Sequence, residues 1–152
     1  MNNDNRTIIS AGFVILSQDG RVLLGRTDKY NENGNWTVFK GQQEGKETLL
    51  ETAIRELKEE TGIDIVADDR LSANTSTSVF YSFGIKNKIV YLYLLQDKDG
   101  ALNDFVPVCN SYWKDNCPEI VEYKWFDISE IENYVFPSQI GMAKELKRIF
   151  QQ

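Results

Sequence analysis

The segment GQQEGKETLLETAIRELKEETGI, Gly41 to Ile63, marks both ends of one helix. Thr48 and Glu51 form a Thr-x-x-Glu capping box, which occupies amide donors that a helix start leaves open. The spacing predicts a helix over Leu49–Thr61, with Gly62 in the left-handed position that ends it. Leu49, Leu50, Ala53, Ile54 and Leu57 fall on one face, which should pack on a sheet. Glu56, Glu59 and Glu60 run along the neighbouring edge, because residues three and four apart are adjacent on a helix. Arg55 offsets part of that charge, and Lys58 points away from it. Such a cluster is either a solvated, salt-bridged surface or a set of hard oxygen ligands. The preceding loop brings Gly41, Gly45 and Glu47 to the same end and favours ligands. Carboxylates without histidine suit Mg²⁺ or Mn²⁺, whose usual partner is a phosphate.

Around this helix the pattern is mostly strand. Thr7–Ser17 reads as a buried strand, with Arg21–Thr27 its hairpin neighbour across a Gln-Asp-Gly turn. Lys29–Asn35 is a polar loop and Trp36–Lys40 a short strand. The segments IDIVADDRLS (Ile63–Ser72), TSTSVFYSF (Thr75–Phe83) and KIVYLYLLQ (Lys88–Gln96) are rich in Val, Ile, Thr and Tyr and read as strands. Asp97–Glu119 is irregular, and loops of that length tend to be functional or mobile. Ile120–Ile128 reads as another strand and Ser129–Tyr134 as a helical turn. Pro137 opens a last helix to about Phe150, with Ile140, Ala143, Leu146, Lys147 and Phe150 near helical spacing. Strands, helix, strands, helix implies one domain over residues 1–152, an α/β (α+β) sandwich with a mixed sheet between helices.

Composition excludes several functions. The net charge of −6 argues against a DNA-binding surface built on phosphate neutralisation. The chain has no histidine, so His triads, Cys-His dyads and His-ligated metals are unavailable, and a general base must be Asp, Glu, Lys, Tyr or water. Cys109 and Cys117 are too few for a disulfide framework and read as free thiols in a reducing compartment. The longest clean apolar run, Ile89–Leu95, is far below the about 20 residues a membrane span needs. The N-terminus lacks the apolar core of a signal peptide, so the expected location is cytoplasmic. Gly41–Glu47 is too short for a P-loop, and Asp97–Gly100 lacks the remaining ligands of an EF-hand.

The opening segment resembles the Nudix box, G-x5-E-x7-R-E-U-x-E-E-x-G-U with U aliphatic. The matching residues are Gly41, Glu47, Arg55, Glu56, Leu57, Glu59, Glu60, Gly62 and Ile63. From average residue usage, a chance match at a given start is roughly one in a billion. SAGFVIL, VLLGR and NWTVFKG resemble the strands that usually precede the box, and EYKWFDISEI the segment near the end.

The resemblance implies a Nudix-type α/β/α sandwich and a Mg²⁺- or Mn²⁺-dependent pyrophosphohydrolase of nucleoside diphosphate derivatives. It implies Glu56, Glu59 and Glu60 as metal ligands, with the Gly41 carbonyl as a further one. Arg55 would orient a carboxylate, and Glu47 would partner Arg55 or the metal shell. The general base is Glu59 or Glu56 of the box, or Glu119 or Glu122 of the late segment, Glu122 being slightly favoured. WTVFKG is similar to the WxxPKG of diadenosine-polyphosphate and RNA 5′-pyrophosphate hydrolases, with Phe39 in place of proline. That subclass implies Lys40, Lys86 or Lys88, and Tyr91 or Tyr93 as substrate contacts. Tyr81, Phe83, Tyr112, Trp113 and Phe136 are candidates for stacking on a base. Rival substrates are ADP-ribose, FAD, NADH, an RNA 5′ end or a nucleoside triphosphate. A non-catalytic nucleotide-binding module is the alternative of another class. The oligomeric state stays open.

Overall fold

A computed structural model describes residues 6–27 and 35–151. Most of the expected Lys29–Asn35 loop lies outside the described residues.

Strand β1 (Ile8–Leu16) is the hub of the sheet. On one side it pairs in parallel with β6 (Lys88–Gln96), in register from Ile8↔Lys88 to Leu16↔Gln96. On the other side its first half pairs antiparallel with β4 (Phe39–Gln42), and its end meets β2 (Arg21–Arg26) at Leu16↔Val22. β2 also pairs with β3 (Trp36–Thr37) and β7 (Glu122–Asp127), while β5 (Tyr81–Ile85) pairs antiparallel with β6. Successive residues of β1 serve two cores, as the alternation of a strand requires. Ala11, Phe13 and Ile15 lie in one core with Ala53 and Leu57 of α1 (Leu49–Thr61). Val14 and Leu16 lie in the other with Met142, Ala143 and Leu146 of α3 (Ile140–Phe150). The helices therefore cover opposite faces of one mixed sheet.

Helix α1 has the expected bounds. Thr48 Oγ1 accepts the Glu51 amide at 3.1 Å, and Glu51 Oε1 accepts the Thr48 amide at 2.9 Å. Gly62 adopts φ 82° and donates its amide to the Lys58 carbonyl. Leu57 is fully buried, which contributes about 1.5–3 kcal/mol.

Three expectations are corrected. Ile63–Ser72 is not a strand. Asp64 Oδ1 accepts the amides of Val66 and Ala67 to close a turn, and Asp68 caps a short helix α2 (Asp69–Ala73). Local Asp–backbone bonds outweigh the β-branched composition there. Trp36–Lys40 is broken at Val38 into β3 and β4. The Gln139 side chain accepts the Val38 amide (3.1 Å) in place of a ladder partner, and donates to Thr37 Oγ1 (2.8 Å). The strand expected at Thr75–Phe83 is confined to Tyr81–Ile85. Pro137 opens a 3-10 turn (Pro137–Gln139) that leads into α3. Met142, outside the expected stripe, is fully buried on α3. Among the described residues, no helix is long and apolar enough to cross a membrane.

Candidate active site and metal centre

Arg55 organises the carboxylates. Its guanidinium grips Glu47 through Nε at 2.6 Å and a second nitrogen at 3.1 Å, a bidentate pair. A third nitrogen donates to Glu56 Oε1 at 2.8 Å and reaches both Glu59 oxygens at 3.3 Å. The Gln42 carbonyl takes another bond at 3.0 Å, tying the helix to β4. Glu47 also accepts from Thr52 Oγ1 and the Glu44 amide. Hydrogen bonding by Arg55, before any other cause, holds the Glu47 carboxyl down to about 2.

Glu56 and Glu60 sit deeper, 8% and 6% exposed. Burial, above all, raises both carboxyls. Glu59 and Glu119 push Glu56 further up, and Glu56 and Glu119 push Glu60. Arg55 pulls Glu56 the other way, and Lys40 does the same for Glu60. Glu60 Oε1 is, among the described residues, the one buried side-chain oxygen or nitrogen without a hydrogen-bond partner. A buried carboxylate oxygen left bare is costly unless a cation or proton meets it. The donor set of hard oxygens therefore fits a divalent ion such as Mg²⁺ or Mn²⁺. Among the described residues, no group of three Asp, Glu or Cys side chains is yet gathered as a ligand cluster, and Glu59 is drawn to Arg55 instead.

Gly41 explains how Glu56 fits. A Cβ there would lie 2.0 Å from Glu56 Cδ and 2.2 Å from each of its carboxylate oxygens. Gly41→Ala is expected to displace that carboxylate and lower turnover about 100-fold, because misplacement by about 1 Å has effects of that size. Thermal melting should show the fold retained. Unchanged turnover would remove Glu56 from the site.

These groups open onto a cleft of about 690 Å³. Lys40, Gly41, Glu56, Glu59, Glu60, Phe83 and Lys88 line it, as do Trp113, Glu119 and Phe136. Burial, then the neighbouring Lys88 charge, holds the Lys40 ammonium below the usual lysine range. Other expected residues lie elsewhere. Tyr91 has the alternation parity of Tyr93 and Leu95, which belong to the core beneath α1, so it cannot share a sheet face with Lys88. Tyr81 does not line the cleft; it packs against the core beneath α3, its hydroxyl beside Gly141. Lys86 sits in the β5–β6 turn with φ 56°. Tyr112 is exposed and does not line the cleft.

The late glutamates part company. Glu122 opens β7, opposite Arg26 of β2, and accepts from Arg26 Nε at 2.8 Å. It does not line the cleft. Glu119 does, held by the Ser111 hydroxyl. Strand pairing commits Glu122 and leaves Glu119 facing the box carboxylates. Sequence reasoning missed Ser10, Thr37, Ser111 and Gln139 as cleft residues. Ser10, a buried polar side chain within an apolar strand, was the one with a signal.

The carboxyl shifts predict how the metal-free protein responds to pH. Glu47, lowered from 4.5 to about 2, contributes stability that is present above about 4.5 and lost as pH falls toward 2. Glu56 and Glu60 are raised, so their destabilisation is absent below the unfolded value and full above the folded one. Melting temperature without metal should therefore peak on the acid side of neutrality. Added Mg²⁺ should stabilise more at pH 8 than at pH 5. A metal increment equal at both values would contradict the shifts.

Comparison with known proteins agrees with this geometry. Residues 6–149 match the NUDIX domain family. An uncharacterized Nudix hydrolase of Bacillus subtilis, YvcI, is 28% identical over 124 residues, 78% of this chain and 66% of that protein. The chain thus spans just under two thirds of that relative's length. An RNA pyrophosphohydrolase of Pelagibacter ubique is 27% identical over 141 residues, 90% of this chain and 86% of that protein. The crystal structure of a Caenorhabditis elegans Ap4A hydrolase binary complex has the same fold, with a TM-score of 0.67 at 20% identity, covering 95% of this chain and 98% of that one. With residues 6–149 matched and every box position present in the sequence, the chain belongs to the Nudix family.

Proposed function

We infer that the protein is a Mg²⁺- or Mn²⁺-dependent pyrophosphohydrolase that cleaves the diphosphate of nucleoside derivatives, with dinucleoside polyphosphates the favoured substrates. The observation that carries this reading is the bare, buried Glu60 oxygen in the wall of a cleft that also presents Lys40. Glu56, Glu59 and Glu60, with the Gly41 carbonyl, would hold the ion. A bound divalent ion polarises phosphoryl oxygens and lowers the pKa of water.

The chain's own residues supply the rest. Arg55 and Glu47 hold the box carboxylates in place. Lys40 and Lys88 offer positive charge to the polyphosphate. Phe83, Trp113 and Phe136 provide apolar faces for a base. The general base is assigned to Glu119 rather than Glu122, since Glu119 faces the cleft and Glu122 is committed to Arg26. Glu119 accepts the proton of the attacking water at its carboxylate, which Ser111 orients. Glu119→Gln should lower kcat about 10²–10⁴-fold, the usual range for loss of a general base, with Glu122→Gln within a few-fold of the parent. The reverse order would return the assignment to Glu122.

A second reading, removal of pyrophosphate from an RNA 5′ end, is favoured by the Pelagibacter relative, which matches over most of both chains. The test is incubation with Mg²⁺ and diadenosine polyphosphates, ADP-ribose, FAD, NADH, nucleoside triphosphates and 5′-triphosphorylated RNA. Turnover of the diadenosine compounds at the highest kcat/KM supports the first reading, and of RNA the second. No turnover of any would replace the enzyme with a nucleotide-binding module. Lys40→Gln should raise KM for diadenosine tetraphosphate about tenfold, in line with loss of a charge-assisted contact. An unchanged KM would remove Lys40 from the phosphate path.

A further inference from the structure

The last turn of α1 carries Glu59 and Glu60, and its four terminal carbonyls have no partner within the helix. Each is met from outside the helix. Gly62 N–H reaches the Lys58 carbonyl at 2.8 Å, Asn110 N–H the Glu59 carbonyl at 2.7 Å, and Val108 N–H the Thr61 carbonyl at 3.0 Å. The fourth, that of Glu60, accepts a side-chain donor, the Tyr123 hydroxyl. Tyr123 lies on β7, paired with Gly25, and its ring packs on Phe39 with centroids 6.0 Å apart. Phe39 immediately precedes Lys40 and Gly41 in β4. One side chain thus joins the strand bearing the cleft lysine to the backbone of the most deeply placed box carboxylate.

We propose that Tyr123 is a positioning residue for the metal carboxylates, fixing the last turn of α1 through the Glu60 carbonyl. This rests on the reading of Glu59 and Glu60 as metal ligands. Tyr123 does not line the cleft, so it would act through the helix backbone. Without its hydroxyl the Glu60 carbonyl loses its partner, the last turn frays more readily, and both carboxylates sample positions away from the ion. Partners that orient metal ligands affect affinity by about 10–100-fold; a bond to the main chain of a ligand acts less directly and should fall at or just below the low end.

The test is Mn²⁺ binding by the full-length protein, read from the free-ion electron paramagnetic resonance signal, together with steady-state kinetics. Tyr123→Phe keeps the ring and removes the donor. It should weaken Mn²⁺ binding about five- to tenfold and lower kcat to match, with KM within about twofold. Phe39→Leu removes the ring contact and keeps the hydroxyl. It should lower the melting temperature while Mn²⁺ affinity stays within about twofold. If Tyr123→Phe lowers only the melting temperature, or if Phe39→Leu weakens Mn²⁺ equally, the residue is merely structural and the proposal fails. If the unsubstituted protein binds no Mn²⁺, the metal reading fails and this proposal with it.

Discussion

Glu60→Gln is expected to reduce turnover by about 10³-fold or more, while the metal-free protein melts no lower than the parent at pH 8. The two halves have one cause. Glu60 is buried, beside Glu56 and Glu119, with one oxygen unpartnered. In the absence of a cation this carboxylate is a liability to the fold, and neutralising it removes repulsion. On the proposed reading the same charge holds the metal ion, and an amide is a poor substitute for a carboxylate as a hard-ion ligand. Such opposition of stability and activity is common at functional sites. Mg²⁺ should raise the melting temperature of the parent and not of the variant. A variant that loses stability and keeps turnover would show Glu60 to be a structural residue.

Arg55→Ala should damage both properties together. Arg55 bonds Glu47, Glu56 and Glu59 and the Gln42 carbonyl, so its removal leaves three carboxylates without their shared cation. Breaking a buried pair from one side typically destabilises by about 3–5 kcal/mol. Arg55 and Glu59 are partly exposed, so about 2–3 kcal/mol is expected, a fall in melting temperature of roughly 5–10 °C for a chain of this size. Turnover should fall about 100-fold or more as Glu56 and Glu59 move apart. Arg55→Lys should recover part of the stability and little of the activity, because an ammonium cannot reproduce the planar fork that holds Glu47 with two nitrogens. Full recovery by lysine would mean that charge alone, without geometry, organises the cluster.

The helix that carries these residues was legible in the sequence to its last residue, since its signals are local. Thr48, Glu51 and Gly62 act through bonds to backbone within a few residues. The box carboxylates followed from helical spacing. What escaped depends on partners far along the chain. The break at Val38 is made by Gln139, and Glu122 is taken out of the cleft by Arg26. Tyr91 and Tyr93, the alternatives set beside Lys86 or Lys88, lie an odd number of positions from Lys88 on a strand and so on the opposite face. The stretch Ile63–Ser72 failed for a local reason: Asp64 and Asp68 write turn and cap chemistry into a segment whose Ile and Val suggest a strand. Tyr123, read only as part of a strand, acts through a hydroxyl aimed at a carbonyl on a helix it does not adjoin in sequence.

On the proposed function, the Glu56–Glu59–Glu60 edge holds a divalent ion for cleavage of a nucleoside diphosphate linkage. The most direct measurement is single-turnover cleavage of diadenosine tetraphosphate, with its products identified, as Mg²⁺ is titrated into chelator-treated protein. Cleavage within the phosphate chain should rise from background with Mg²⁺, saturate, and be missing in Glu60→Gln at every concentration. Cleavage that proceeds equally in chelator, or that Glu60→Gln retains at the parent's rate, would contradict the proposed function.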